Sequence, residues 1–153
     1  MAITVFNVAD FFLNRVKTEL GSSITHLKLQ KLCYYAQAWY LALEDNKLFN
    51  ERFEAWVHGP VCPDLFQKYR DHQWQSLRPV TEFEDSIFTQ EQLDHLEEIW
   101  EIYGKYDGKF LEELTHQEDP WIDARDGYDP TERCNNIIDV NHMKIYYRDQ
   151  LED

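Results

Sequence analysis

Apolar residues recur at helical spacing along most of the chain, and Gly, Pro and capping residues mark the breaks. Phe12, Val16 and Leu20 stand at i, i+4 and i+8 and predict a first helix from Val8 to Leu20, capped by Asn7 and ended by Gly21. The strongest signal lies between Thr25 and Glu44. There Leu29, Leu32, Cys33, Ala36, Trp39, Tyr40 and Leu43 fall in one arc of about 120° when wound at 100° per residue. A narrower row of Leu27, Tyr34 and Leu41 repeats at heptad spacing on nearly the opposite side. A helix apolar on two sides belongs at the centre of a fold, packed on both; the alternative is an exposed row that meets a partner. Lys28 and Lys31 fall between the rows, where their stems can cover apolar surface while their charges reach water.

Asp45-Asn46-Lys47 reads as a turn. Phe53 to Val57 alternates and is rich in strand formers, then stops at Gly59-Pro60. This predicts a short strand with Phe53, Ala55 and Val57 on one face and Trp56 on the other. Pro63 opens a helix whose Leu65, Phe66 and Tyr69 point inward. The segment from His72 to Ser86 is polar and irregular, with Val80, Phe83 and Ile87 as candidate anchors. Thr89 and Gln92 form a capping box for a helix with a buried face of Leu93, Leu96, Trp100 and Tyr103. Gly104 and Gly108 bracket its end. Short helices are expected from Lys109 to His116 and, started by Asp119-Pro120, through Trp121 and Ala124. Asn135 to Ile138 reads as extended. Asp139 caps a last helix to Leu151 with Val140, Met143 and Tyr147 inward. The expected fold is mainly α: a single compact bundle of about six helices with one or two short β-strands.

Composition sharpens this picture. The 153 residues are 43% apolar and 15% aromatic, enough for a core without disulfide or metal. Fifteen Lys and Arg against twenty-nine Asp and Glu give a net charge of −14, which repels phosphate backbones and argues against nucleic-acid binding. No stretch approaches the ~18 consecutive apolar residues of a membrane span, and the N-terminus lacks the features of a signal peptide. Three cysteines (Cys33, Cys62, Cys134) without a Cys-x-x-Cys pair suit free thiols in a reducing cytoplasm.

Motifs for phosphate loops, dinucleotides, zinc proteases and serine hydrolases are missing, and no cofactor is expected. The segment from His58 to Pro63 is the best enzyme candidate: Cys62 sits at a helix start, where the dipole lowers a thiol pKa, and His58 is four residues away as a base. The same pair is half of a zinc site that His116 or Cys134 would have to complete. The plainer reading is a tight turn with a half-buried thiol. Glu91, Asp94, Glu98 and Glu101 line one side of the capped helix. They are either a solvated face or a docking face for a basic partner. Five Trp and nine Tyr exceed what a small core needs, and such residues dominate binding hot spots.

Three segments carry a family resemblance. Ile24 to Ala42 (Ile-Thr-His-Leu-Lys-Leu-Gln-Lys-Leu-Cys-Tyr-Tyr-Ala-Gln-Ala-Trp-Tyr-Leu-Ala) resembles the signature helix of the Panacea domain, the SocA/GepA-like antitoxin family. Phe53 to Val61, followed by Pro63 and Tyr69, is similar to its second motif. Leu114-Thr115-His116 with Glu118-Asp119-Pro120-Trp121 is similar to its third. The resemblance implies a mainly helical, non-enzymatic antitoxin that binds and neutralises a toxin encoded beside it, in bacteria and prophages. Toxins of this family include small alarmone synthetases, other translation or growth inhibitors and membrane-active peptides. A toxin with a basic surface suits the acidic chain. A phage-associated regulatory or proteolytic adaptor that binds a host protein is the alternative. Cys62 stands where the family tends to have an aliphatic residue, against a catalytic thiol. The residues before Ile24 read as one amphipathic helix, so promoter binding is not expected. Candidate partner contacts are Lys31, Tyr34, Trp56, His58, Tyr69, Glu91, Asp94, Glu98, Glu101, His116 and Trp121. Lys31, Gln30, His116, Gly59-Pro60 and Pro120 are each expected to serve the scaffold first.

Overall fold

A computed structural model describes residues 2–16 and 23–151. Among them are seven α-helices and one two-stranded antiparallel sheet. The helices are α1 (Val5–Val16), α2 (His26–Glu44), α3 (Pro63–Tyr69), α4 (Gln90–Tyr103), α5 (Gly108–Thr115), α6 (Asp119–Ala124) and α7 (Val140–Gln150). The strands are β1 (Glu54–Trp56) and β2 (Gly59–Val61). The mainly α expectation holds, and each of the seven segments read as helical forms a helix.

Helix α2 is the axis. It packs against α1, α3, α4, α5, α7 and β2, and both of its apolar rows face protein. Leu29, Leu32, Cys33 and Ala36 on one side and Tyr34 on the other are all 1% exposed or less. The two-sided pattern therefore marks a central helix, and Leu43 at its C-terminal end is the one member of the main stripe left half in water. Thr25 caps α2 by accepting from the Lys28 amide at 3.1 Å. Asp45 ends it in the left-handed region, φ 58°, with its amide on the Leu41 carbonyl.

Four local expectations are corrected. Helix α1 starts at Val5, and its cap is Thr4. The Thr4 amide donates to Asn7 Oδ1 and the Asn7 amide to Thr4 Oγ1, at 2.8 and 3.3 Å, so Asn7 answers the cap from within the first turn. The expected end at Leu20 and Gly21 lies outside the described residues. Gly59-Pro60 does not end a lone strand: the chain reverses at Val57-His58, and Gly59-Pro60 form the returning strand, with Ala55 opposite Pro60. Gly59 has φ +95°, which an L side chain rarely adopts, and this conformation makes so tight a reversal possible. Lys28 and Lys31 do not reach water. Lys31 is fully buried, and Lys28 spans to the Gly104 carbonyl at 2.5 Å. Ile87 is exposed, while Val80 and Phe83 pack on the core and Leu77 and Phe88 are buried beside them.

The extended segment before α7 adds to the free side of β1. The Ala55 amide donates to Asn136 O and the Ile138 amide to Phe53 O, at 2.8 and 2.9 Å. This leaves the hairpin sandwiched between α2 on its β2 side and residues 136–138 on its β1 side.

Candidate partner-binding site

The hairpin is the point where the candidate residues converge. Lys31 comes from α2, Trp56 and His58 from the hairpin, His116 from the end of α5 and Trp121 from α6. Trp121 donates its indole N–H to the Trp56 carbonyl at 2.8 Å, and the His116 ring nitrogen Nε2 lies 2.8 Å from the Val57 carbonyl. A carbonyl only accepts, so His116 carries its proton on Nε2. Burial also pushes its pKa down, which keeps it neutral. The two rings stack at 4.1 Å and 24°. The carbonyl of a hairpin turn, not a carboxylate or helix end, is thus what His116 serves.

Lys31 reaches under the same turn and donates to the Pro60 carbonyl at 2.9 Å. Burial pushes its ammonium down to about 7, against the pull of the Glu112 carboxylate. Glu112, itself buried, accepts from Lys109 and lies 3.1 Å from His58 Nδ1. A methyl group on Gly59 would stand 2.7 Å from Thr115 Oγ1 and 2.8 Å from Lys31 Cε. The motif residues are therefore jammed against each other, and their first work is to hold the hairpin to α2, α5 and α6.

Exposure divides the candidates. His58 keeps about half of its side chain in water, 47%, and Trp56 and Tyr69 are half-buried. Lys31, Tyr34 and Trp121 are buried at 0%, 1% and 3%, so in this conformation they support the surface and do not form it. The Tyr147 hydroxyl donates to Glu118 Oε1 at 2.7 Å and lies 3.1 Å from the Tyr34 hydroxyl; Tyr35 donates to the same Glu118 oxygen at 2.8 Å. Glu91, Asp94, Glu98 and Glu101 are all exposed along α4. Glu91 accepts from the Tyr40 hydroxyl and Asp94 from Gln90.

Several organising groups were not among the candidate partner contacts. Gln30 accepts from the Cys62 amide, and Gln37 accepts from the Leu48 amide and donates to the Phe49 carbonyl, so two α2 amides stand in for missing backbone partners. Arg125 is 2% exposed and donates to the carbonyls of Ala55, Asp129 and Glu132, pinning the loop after α6 to β1. His26 lies among Phe66, Tyr69 and Trp74, its pKa pushed down to about 4 by burial; Nδ1 donates to Gln73 O and Nε2 accepts from Gln30. For Gln30 and Gln37 the sequence signal is a polar residue inside a helix apolar on two sides; Arg125, which follows α6, has no such signal.

Chemistry at Cys62 is disfavoured. Its side chain is buried, and burial drives the thiol up to about 11, overriding the helix N-terminus it caps. At neutral pH it is a covered thiol, not a thiolate. Among the described residues no three His, Cys, Asp or Glu side chains gather as metal ligands, so the zinc pairing of His58 and Cys62 with His116 or Cys134 is not assembled. A cleft of about 650 Å3 opens beside the hairpin, lined by Trp56, His58, Tyr128 and Arg133 among others. No helix among the described residues is long and apolar enough to cross a membrane.

Comparison with known proteins supplies a context. A family model described as "Antitoxin SocA-like, Panacea domain" matches residues 29–122, from the middle of α2's first turns to α6. Antitoxin SocA of Caulobacter vibrioides (strain NA1000 / CB15N) is 38% identical over 60 residues. That alignment covers 39% of this chain and 31% of the relative, so the chain spans about a third of the relative it matches. No solved structure matches the chain.

Proposed function

The chain belongs to the SocA-like, Panacea-domain family, and on that premise we propose that it is the antitoxin of a toxin–antitoxin pair, neutralising a cognate toxin by direct stoichiometric binding. The observation that carries the proposal is the family match itself, which spans the hairpin and the α5–α6 turn where the motif residues interlock.

The geometry supports a binding role in a specific way. Most motif residues are consumed by the scaffold, whereas the acidic face of α4 and the partly exposed Trp56 and His58 of the hairpin face outward, where a partner can meet them. A fixed frame with a separate contact surface is what a domain needs if its relatives serve different toxins. The net charge of −14 favours a toxin whose substrate site is basic, such as a small alarmone synthetase or another translation or growth inhibitor that handles nucleotides or RNA. Occupying that basic surface blocks the substrate sterically, so neither a nucleophile nor a cofactor is needed. Three buried free thiols suit a cytoplasmic setting.

Co-expression tests the proposal. The gene beside this one is induced alone and together with the antitoxin candidate. Growth arrest by the neighbour alone, relieved by this protein and equally by its Cys62→Ser variant, supports neutralisation by binding. A harmless neighbour, or a rescue that depends on the Cys62 thiol, sinks it.

A further inference from the structure

We propose that the cleft between α2 and α4, closed at one end by Leu151, receives an amphipathic helix of the toxin that carries an apolar face and one Lys/Arg flank. The inference rests on the antitoxin reading and adds where and by what the partner is gripped.

Three large apolar side chains stand half in water around this cleft: Leu43 at 50%, Ile102 at 46% and Leu151 at 53%. Its floor is Ile99 and the Trp39–Tyr103 pair, in which the indole N–H donates to the phenol at 2.8 Å. Half-exposed apolar groups gathered over a firm aromatic floor are the ordinary make-up of a contact surface. The cleft volume is about 200 Å3. That is below the roughly 300 Å3 at which small-molecule pockets begin, and suits an anchoring side chain from a larger partner.

Charge selects the partner. Wound at 100° per residue, Glu91, Glu98 and Ile102 fall within about 40° of each other on α4, with Asp94 and Glu101 along the outer side. The acidic stripe is therefore the rim of the cleft. His95, in the cleft wall, feels Glu98, Glu44 and Glu91 together. It is held by the Ala36 carbonyl at 2.8 Å and kept neutral by burial, so it does not balance them. Among the described residues lining the cleft, none carries a positive charge. On the α7 side Arg148, one turn before Leu151, is tied to the Ala42 carbonyl. The acid is thus densest along α4, with Glu44 at the end of α2 adding to it beside Leu43. A basic stripe on the guest must run along α4, and its apolar stripe must settle on Leu43, Ile99 and Ile102. A second copy of this chain would set one acidic rim against another at a net charge of −14 each, which disfavours self-association here.

The test uses the full chain and the protein encoded by the neighbouring gene, with binding measured by calorimetry and neutralisation by growth rescue. The variants are Leu43→Asp, Ile102→Asp, the pair Glu98→Lys with Glu101→Lys, and a control, Ile122→Asp, at an equally exposed apolar position on α6. All five positions are exposed, and unchanged melting temperatures certify the folds. The expected result is a loss of more than about tenfold in affinity for each apolar variant. The charge pair should lose the salt dependence of association, and the control should stay within twofold. If the wild type binds and rescues while the cleft variants bind within twofold of it, the cleft assignment falls and the antitoxin reading stands. If the wild type neither binds nor rescues, both fall. A wild-type homodimer that Ile102→Asp dissociates would give the cleft to a second copy and overturn the assignment.

Discussion

Replacing Lys31 with Met should remove a pH dependence of stability that the wild type carries. The folded chain holds the Lys31 ammonium near pKa 7, because the side chain is fully buried and burial outweighs the Glu112 carboxylate. The unfolded chain holds it near the ordinary 10.5. Between these values the unfolded state binds a proton that the folded state does not, so stability rises with pH across the window and is lost as pH falls through 7. The full slope is about 1.4 kcal/mol per pH unit. From pH 8 to 9.5, where the two states differ by nearly one proton, the gain is about 2 kcal/mol. The wild type alone would hide this. Burial pushes the Cys33 and Cys62 thiols up, and those groups destabilise the fold as pH climbs past 9. The measurement is therefore a difference: urea unfolding of wild type and Lys31→Met at both pH values. The thiol contribution is common to both proteins and cancels. Loss of the hydrogen bond to Pro60 O shifts the Met variant by a pH-independent amount of about 1–3 kcal/mol and does not alter the slope. A difference between the proteins that stays constant from pH 8 to 9.5 would refute the buried, largely neutral Lys31.

Other expectations follow from the same contacts. Burial raises the Glu118 carboxyl to about 7 despite its bonds from Tyr35 and Tyr147, so the wild type should lose stability from pH 4.5 to 7 relative to Glu118→Gln, read by urea midpoints. Gly59→Ala should cost more than about 2 kcal/mol, because a positive φ and two contacts under 3 Å act together; Gly127→Ala, at φ +88° with open space around it, should cost about 1 kcal/mol, and thermal melts compare them. Cys33, Cys62 and Cys134 are buried, so a thiol reagent at pH 7 should label the native protein far more slowly than the urea-unfolded one, with mass spectrometry counting the adducts.

The elements that local chemistry specifies were legible from the chain. The Thr89–Gln92 capping box, Asp139 before α7 and the two apolar rows of α2 each act through neighbours a few residues away, and each is found where the pattern put it. Gly59-Pro60 was misread because a proline in a strand is uncommon. It is tolerated here because Pro60 turns its backbone away from β1, as its partner Ala55 does towards Asn136, so the missing amide breaks no ladder bond, while Lys31 takes the Pro60 carbonyl, a non-local fact. The lysines were misread for a related reason. Helical position alone favours snorkelling, and only tertiary structure brings the Pro60 and Gly104 carbonyls within reach of Lys31 and Lys28. Arg125 shows the same limit: its three carbonyl partners come from β1 and the loop after α6, and nothing in its own neighbourhood predicts burial of a guanidinium. Motif residues were recognisable as a set before the structure placed them, but their division into buried braces and exposed rim needed the fold.

The central claim is stoichiometric capture of a toxin, and the direct measurement is size-exclusion chromatography with light scattering on this protein co-purified with the product of its neighbouring gene. The account predicts a stable complex of defined ratio that weakens as salt rises, in keeping with an acidic surface set against a basic one. Two separate peaks at low salt, from a neighbour that arrests growth by itself, would contradict it.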